Sequence, residues 1–127
     1  MGATKMDFYT DHQIEMAKRC KSLGHPARIA IIEKLMEDDQ LNCTDLQFFI
    51  PLAQSTISQH LKELFNAGIL GFKVIGNNCY YYINKDVISQ VANYLSQIRL
   101  LIKDNKTESF IYFKPSIKQK QPYFMRI

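Results

Sequence analysis

The chain has 127 residues, 46% of them apolar, and a net charge of +4; this is the size of one domain with a real core, small enough to gain from an oligomer partner. No run of about 18 uninterrupted apolar residues occurs and no apolar segment follows an N-terminal basic cluster, which argues against a membrane span or leader and for a cytoplasmic protein. Three cysteines, an odd number without CxxC spacing, exclude a disulfide framework and fit a reducing compartment.

Residues 1 to 10 lack a period and are expected to form a flexible lead-in. From Asp11, the spacing of Ile14, Ala17, Cys20 and Leu23 predicts a first helix with those residues on its apolar face, ended by Gly24. His25 then reads as an N-cap or turn residue. Pro26 opens a second helix, where its missing N–H would have lacked a partner anyway, and Ile29, Ile32, Leu35 and Met36 are the expected core face. Thr44 with Gln47 three residues on has the form of a capping box, predicting a short third helix over about residues 45 to 50, stopped by Pro51.

The stretch AQSTISQHLKELFNAG at residues 53 to 68 organises the rest of the chain. It sets Ile57, Leu61, Leu64 and Phe65 on one face and Ser55, Ser58, Gln59 and Lys62 on the other. Any amphipathic surface helix has this pattern. A preceding helix only a few residues away makes the pair a helix-turn-helix, and its second helix is the one that enters a DNA major groove. Gly68 stands where a C-cap is expected.

The period then changes to 2: Leu70, Phe72 and Val74 alternate with Gly71, Lys73 and Ile75, and after Gly76-Asn77-Asn78 comes the strand-forming run from Cys79 to Ile83. This is a β-hairpin. Asn84 caps a long last helix with the stripe Val87, Val91, Tyr94, Leu95, Ile98, Leu101 and Ile102. So small a domain has little core left to cover that stripe, which is expected to be a dimer seam shared with the first helix around Ile14. Residues 104 to 127 form a basic, aromatic tail, with a short strand expected at 109 to 113 and apolar pieces that clip onto the chain's own domain or a partner subunit. The predicted fold is mainly α (α+β): a winged helix-turn-helix over residues 11 to 103, with a two-stranded hairpin wing and N- and C-terminal dimerisation helices.

Three passages, KSLGHPARIAIIEKL (21 to 35), LAQSTISQHLKELFNAGIL (52 to 70) and the hairpin ending in YYYI (80 to 83), resemble the ArsR/SmtB family of bacterial winged-helix repressors. The resemblance implies a homodimer on a roughly palindromic double-stranded DNA operator, one recognition helix of each subunit in successive major grooves, and repression until a signal releases it. By match to the family motif, Gln54, Ser55, Ser58, Gln59 and His60 would face DNA. Glutamine suits adenine and serine hydroxyls suit bases or phosphates; Thr56 and Lys62 are phosphate contacts. For His60, off the centre of the exposed face, packing or a phosphate contact is an equal expectation. Arg28 matches a family arginine and is either a structural partner of a carboxylate or a phosphate contact.

Two departures bear on this function. Ala53 stands where the family usually has a serine cap, so Gln54 or Ser55 would have to take over. Lys73 is the one basic residue of a wing that relatives fill with arginine, and the 8 Lys/Arg after Ile83, against 3 Asp/Glu, would carry part of the salt-dependent affinity instead.

The family's metal sites are absent from the wording. Cys43 falls one place from the usual CxC pair, whose positions hold Asn42 and Thr44, and the ligand positions of the last helix hold Lys85, Val87, Ile98 and Leu101, none able to bind zinc. No cofactor is expected. Cys20, Cys43 and Cys79 are the candidates for a thiol sensor; Cys20 is expected to be a buried structural thiol, Cys79 an exposed one, and Cys20 with Cys43 the pair to inspect first. No phosphate loop or catalytic constellation points to an enzyme. The expected function is therefore a dimeric DNA-binding repressor without the usual metal sites. The alternatives are a winged-helix interaction module and a thiol-based redox-sensing repressor; operator, regulated genes and inducer stay unnamed.

Overall fold

The computed structural model describes residues 7–102. The chain divides into two compact units, Met1–Ala92 and Asn93–Ile127. The tail at 104–127, its expected strand and most of the lead-in lie outside the described residues.

The first unit begins with α1 (Asp11–Ser22), which starts on a capping box: Thr10 Oγ1 accepts from the Gln13 N–H and Gln13 Oε1 from the Thr10 N–H, each at 3.0 Å. Met16 and Ser22 are buried, whereas Ala17 and Cys20 are exposed. This corrects the expected face and the expected buried thiol. Met16 and Leu23 lie seven residues apart, hence on one side of the helix, and that side turns inward. The Ile14 side is left half-covered.

His25 caps α2 (Pro26–Glu37), its Nδ1 accepting from the Ala27 N–H at 3.0 Å, with Pro26 in the first turn. Ile31 and Leu35 carry the core face. Ile29 and Met36, expected inside, are exposed, Met36 by 72%. The helix has more apolar positions than the core can take, and the row through Ile31 and Leu35 is the one that meets the next helices.

The cap of α3 (Cys43–Phe49) is Asn42, not Thr44: Asn42 Oδ1 accepts from the Asp45 N–H at 2.8 Å and Asp45 Oδ2 from the Asn42 N–H at 3.0 Å. The reciprocal pair satisfies two first-turn donors and starts the helix two residues earlier than expected. Residues 50–53 make the tight turn into α4 (Gln54–Asn66). There Ile57, Leu61 and Leu64 are fully buried. Gly68, at φ 83°, closes α4 with two bonds, Gly68 N–H to Phe65 O at 2.9 Å and Ile69 N–H to Leu64 O at 3.0 Å.

The antiparallel pair β1 (Leu70–Ile75) and β2 (Asn78–Ile83) is in register from Leu70 opposite Ile83 to Ile75 opposite Asn78. Positive φ at Gly76 alone fits a two-residue turn with glycine first. Leu41 bridges to Tyr81, anchoring the approach to α3 on β2. Asn84 caps α5 (Lys85–Leu101), its Oδ1 accepting from the Val87 N–H at 3.3 Å. The core joins Ile31, Leu35, Leu46, Ile57, Leu61 and Ile69, so α2, α3, α4 and the approach to β1 form one body. Of the second unit, the described part is the continuation of α5, where Leu95, Ile98, Leu101 and Ile102 are exposed. This is a winged helix-turn-helix. Among the described residues no helix is long and apolar enough to cross a membrane.

Candidate nucleic-acid interface

The two faces of α4 have opposite environments. With Ile57, Leu61 and Leu64 sealed in the core, Gln54, Ser55, Thr56, Ser58, Gln59 and Lys62 are all exposed on the outer side. Burying three such apolar side chains contributes roughly 1.5–3 kcal/mol each, which fixes the rotation of the helix and thereby which polar groups look outward. The N-terminus of α4 has no side-chain cap: Ala53 offers its carbonyl to Thr56 and Ile57, but neither Gln54 nor Ser55 replaces the missing side-chain oxygen. The first N–H groups thus stay open to solvent or to a phosphate oxygen.

Beside the outer face lies an open groove of about 450 Å³, lined by Ser55, Ser58, Gln59 and Lys62 from α4 and by Phe65, Phe72 and Tyr81. The last three make its far wall. Ring centroids stand 5.0 Å apart for Phe65 and Phe72 and 6.0 Å for Phe72 and Tyr81. Phe65, expected in the core, is 42% exposed because it joins this aromatic line instead. The turn is Gly76-Asn77, one residue shorter than the expected Gly76-Asn77-Asn78, so β2 starts at Asn78 and Phe72 stands opposite Tyr81 on one face of the hairpin.

His60 leaves the exposed face. Its Nδ1 accepts from Arg28 Nε–H at 3.1 Å, its ring centroid lies 4.5 Å from that of His25, and a guanidinium N–H of Arg28 also donates to the Ser22 carbonyl at 3.2 Å. Arg28 therefore has a structural role, tying α2 to α4 and to the end of α1. Burial first, then His25 and Arg28, hold His60 below its ordinary pKa, with Glu63 acting in the opposite sense. Lys73 is not in the groove either. It sits on the other face of the hairpin, lining a cleft behind the wing.

Cys43 and Cys79 both lie near Tyr81. Cys20 is exposed on α1, while Cys43 donates its thiol to the Gln54 carbonyl at 3.6 Å and is pushed up in pKa by burial. A raised thiol is protonated and a poor nucleophile. Tyr81 is pushed up to about 12 by burial, by a hydrogen bond with Cys79 and by the nearby Cys79 and Cys43. Among the described residues no group of three or more His, Cys, Asp or Glu is arranged to hold a metal.

Residues 25–70 match the model of the bacterial regulatory protein, arsR family. Over 100 residues the chain is 31% identical to the transcriptional repressor PagR of Bacillus anthracis, spanning 74% of this chain and 100% of that one. The crystal structure of PagR superposes with a TM-score of 0.57 at 30% identity over 66% of this chain and 95% of the other. An ArsR-like transcriptional regulator from Rhodococcus sp. RHA1, at 20% identity, shares the fold with a TM-score of 0.64 over 88% of this chain and 97% of its own.

Proposed function

Because the chain belongs to the ArsR family of bacterial regulatory proteins, we propose that it is a dimeric repressor that reads double-stranded operator DNA with the outer face of α4. The observation that carries this reading is the exposed set Ser55, Ser58, Gln59 and Lys62 on a helix whose opposite face is sealed in the core. A helix so held presents short hydrogen-bonding side chains at a fixed rotation, which base reading requires. Gln54, Ser55, Ser58 and Gln59 address base edges and nearby phosphates; Thr56 and Lys62 are phosphate contacts. His60 acts indirectly, by locking α4 to α2 through Arg28. With Lys73 behind the wing, the wing positions α4 more than it binds phosphate, and the basic segment after residue 103 adds salt-dependent affinity.

The dimer seam in this reading is built from Tyr9 and Ile14 of the α1 region and from Tyr94, Leu95, Ile98, Leu101 and Ile102 of α5 and its end; Val91, expected in the seam, is instead buried within its own chain at 6% exposure. Tyr9, Gln13, Ile14 and Ala17 border an open apolar pocket on α1, and four of the α5 residues are exposed on the single chain. The protein works without the family's metal sites, in the cytoplasm and not as an enzyme.

The test is binding to the DNA upstream of its own gene. Nanomolar affinity that falls steeply with salt supports the repressor, and indifference to sequence sinks it. Ser58→Ala with Gln59→Ala should erode discrimination between operator and unrelated DNA while leaving the melting temperature nearly unchanged; discrimination left intact would mean that another surface reads the DNA.

A further inference from the structure

We infer that the cleft behind the wing binds an amphipathic carboxylate, an apolar chain with one acid head, and that its occupancy alters how the wing stands against α4. The cleft is open to solvent on one side and spans about 890 Å³, within the roughly 300–1,000 Å³ usual for small-molecule sites. Its floor is Ile32, Leu35, Ile83 and Ile88, and three of these, all but Leu35, are only partly covered by the protein. Met36 stands at the mouth, 72% exposed. Tyr82 forms the wing side: it pairs with Gly71, and a Cβ at Gly71 would come within 2.5 Å of the Tyr82 ring. Glycine at 71 is thus what lets the ring lie flat on the hairpin as a wall.

The polar groups of the cleft select the sign of the ligand. Lys73 and Lys85 line it against one acid, Asp39. Among the described residues neither lysine forms an ion pair. Lys85 also opens α5, where the helix dipole disfavours a cation and favours an anion beside it. An acid head between the two ammonium groups, with its chain along the isoleucines, satisfies both the charge and the apolar floor. Lys73 and Tyr82 share the rear face of the hairpin, while on the front face Phe72 meets Phe65 of α4 and Tyr81 packs on Phe72. A ligand behind the wing therefore bears on the element that forms the far wall of the groove beside α4; this coupling, unlike the binding itself, rests on the DNA-reading function proposed above.

Calorimetric titration of the full chain with decanoate below its micelle concentration tests the site, with decanol and decylammonium as comparisons. Saturable decanoate binding, weakened about tenfold or more in Lys73→Gln/Lys85→Gln and in Met36→Glu, is the expected result. The absence of saturable binding, equal binding of decanol, or unchanged affinity in both variants overturns it. Operator affinity is then compared with and without saturating decanoate. A several-fold change in the wild type that is lost in Lys85→Gln supports the coupling, and an operator affinity unmoved by bound decanoate overturns it. Were no operator bound under any condition, the DNA-reading function would fall while the titration still decided the site.

Discussion

Ala53 and His60 mark what single residues do to α4. Ala53 leaves the first turn of α4 without a side-chain oxygen, so Ala53→Ser should raise stability by about 1 kcal/mol, seen as a higher urea midpoint with unchanged slope. His60 carries a pH dependence. Its folded pKa lies below the ordinary 6.5, so the unfolded chain takes up the proton more readily; stability is whole above that value and is lost as pH falls through it toward the lower folded one. The bond from Arg28 has the same sign, because it needs an unprotonated Nδ1. Between about pH 7.5 and about pH 5.5 the wild type should lose more stability than His60→Asn. Equal losses would show that His60 does not carry the effect.

At the scale of elements, the contact that matters most lies between α4 and the wing. Phe65 and Phe72 meet with 5.0 Å between ring centroids, and Tyr81 extends the line across the hairpin. Phe72→Ala should lower stability by roughly 1–2 kcal/mol, the sum of an aromatic pair and partial burial, and should weaken operator binding because the wing no longer stands against α4. Denaturation and a DNA titration on the same preparation check both parts. Unchanged DNA affinity would mean that the hairpin does not position the groove. The hairpin itself was legible beforehand, but its register was not: a turn read as Gly76-Asn77-Asn78 instead of Gly76-Asn77 shifts every cross-strand pair by one residue, and register fixes which side chains share a face. The partner of Phe72 was not legible: Phe65 has the helical spacing of a core residue, and only the packed hairpin shows that its neighbour is an aromatic ring on the surface.

For the whole molecule, the proposed dimer rests on the exposed apolar residues of α5. Leu95 and Ile98 are 53% and 44% exposed on the single chain, and a helix stripe of this kind is stable in water chiefly when covered. Ile98→Glu should convert a dimer to a monomer in sedimentation while leaving the far-ultraviolet circular dichroism unchanged, because the side chain supports no part of the core. Operator affinity should fall with it, as one recognition helix cannot span two half-sites about 34 Å apart. A dimer that persists would remove Ile98 from the seam.

The sequence by itself determined the kind and order of the elements, the helix-turn-helix and the two faces of α4. Those follow from interactions within a few residues: apolar period, caps, a proline in a first turn, a glycine at positive φ. Only the tertiary structure decided which way the other helices turn. On α1 and α2 the apolar positions exceed what one small core can cover, so neighbouring helices selected Met16 over Cys20 and Ile31 over Ile29 and Met36. Likewise His60 turned away from the outer face of α4 because Arg28, 32 positions earlier, offers its Nδ1 a donor. Lys73 fell behind the wing because a hairpin has two faces and α4 meets only one of them. Local spacing assigns a side chain to a face of its own element, and what that face meets is decided by parts of the chain far away in sequence.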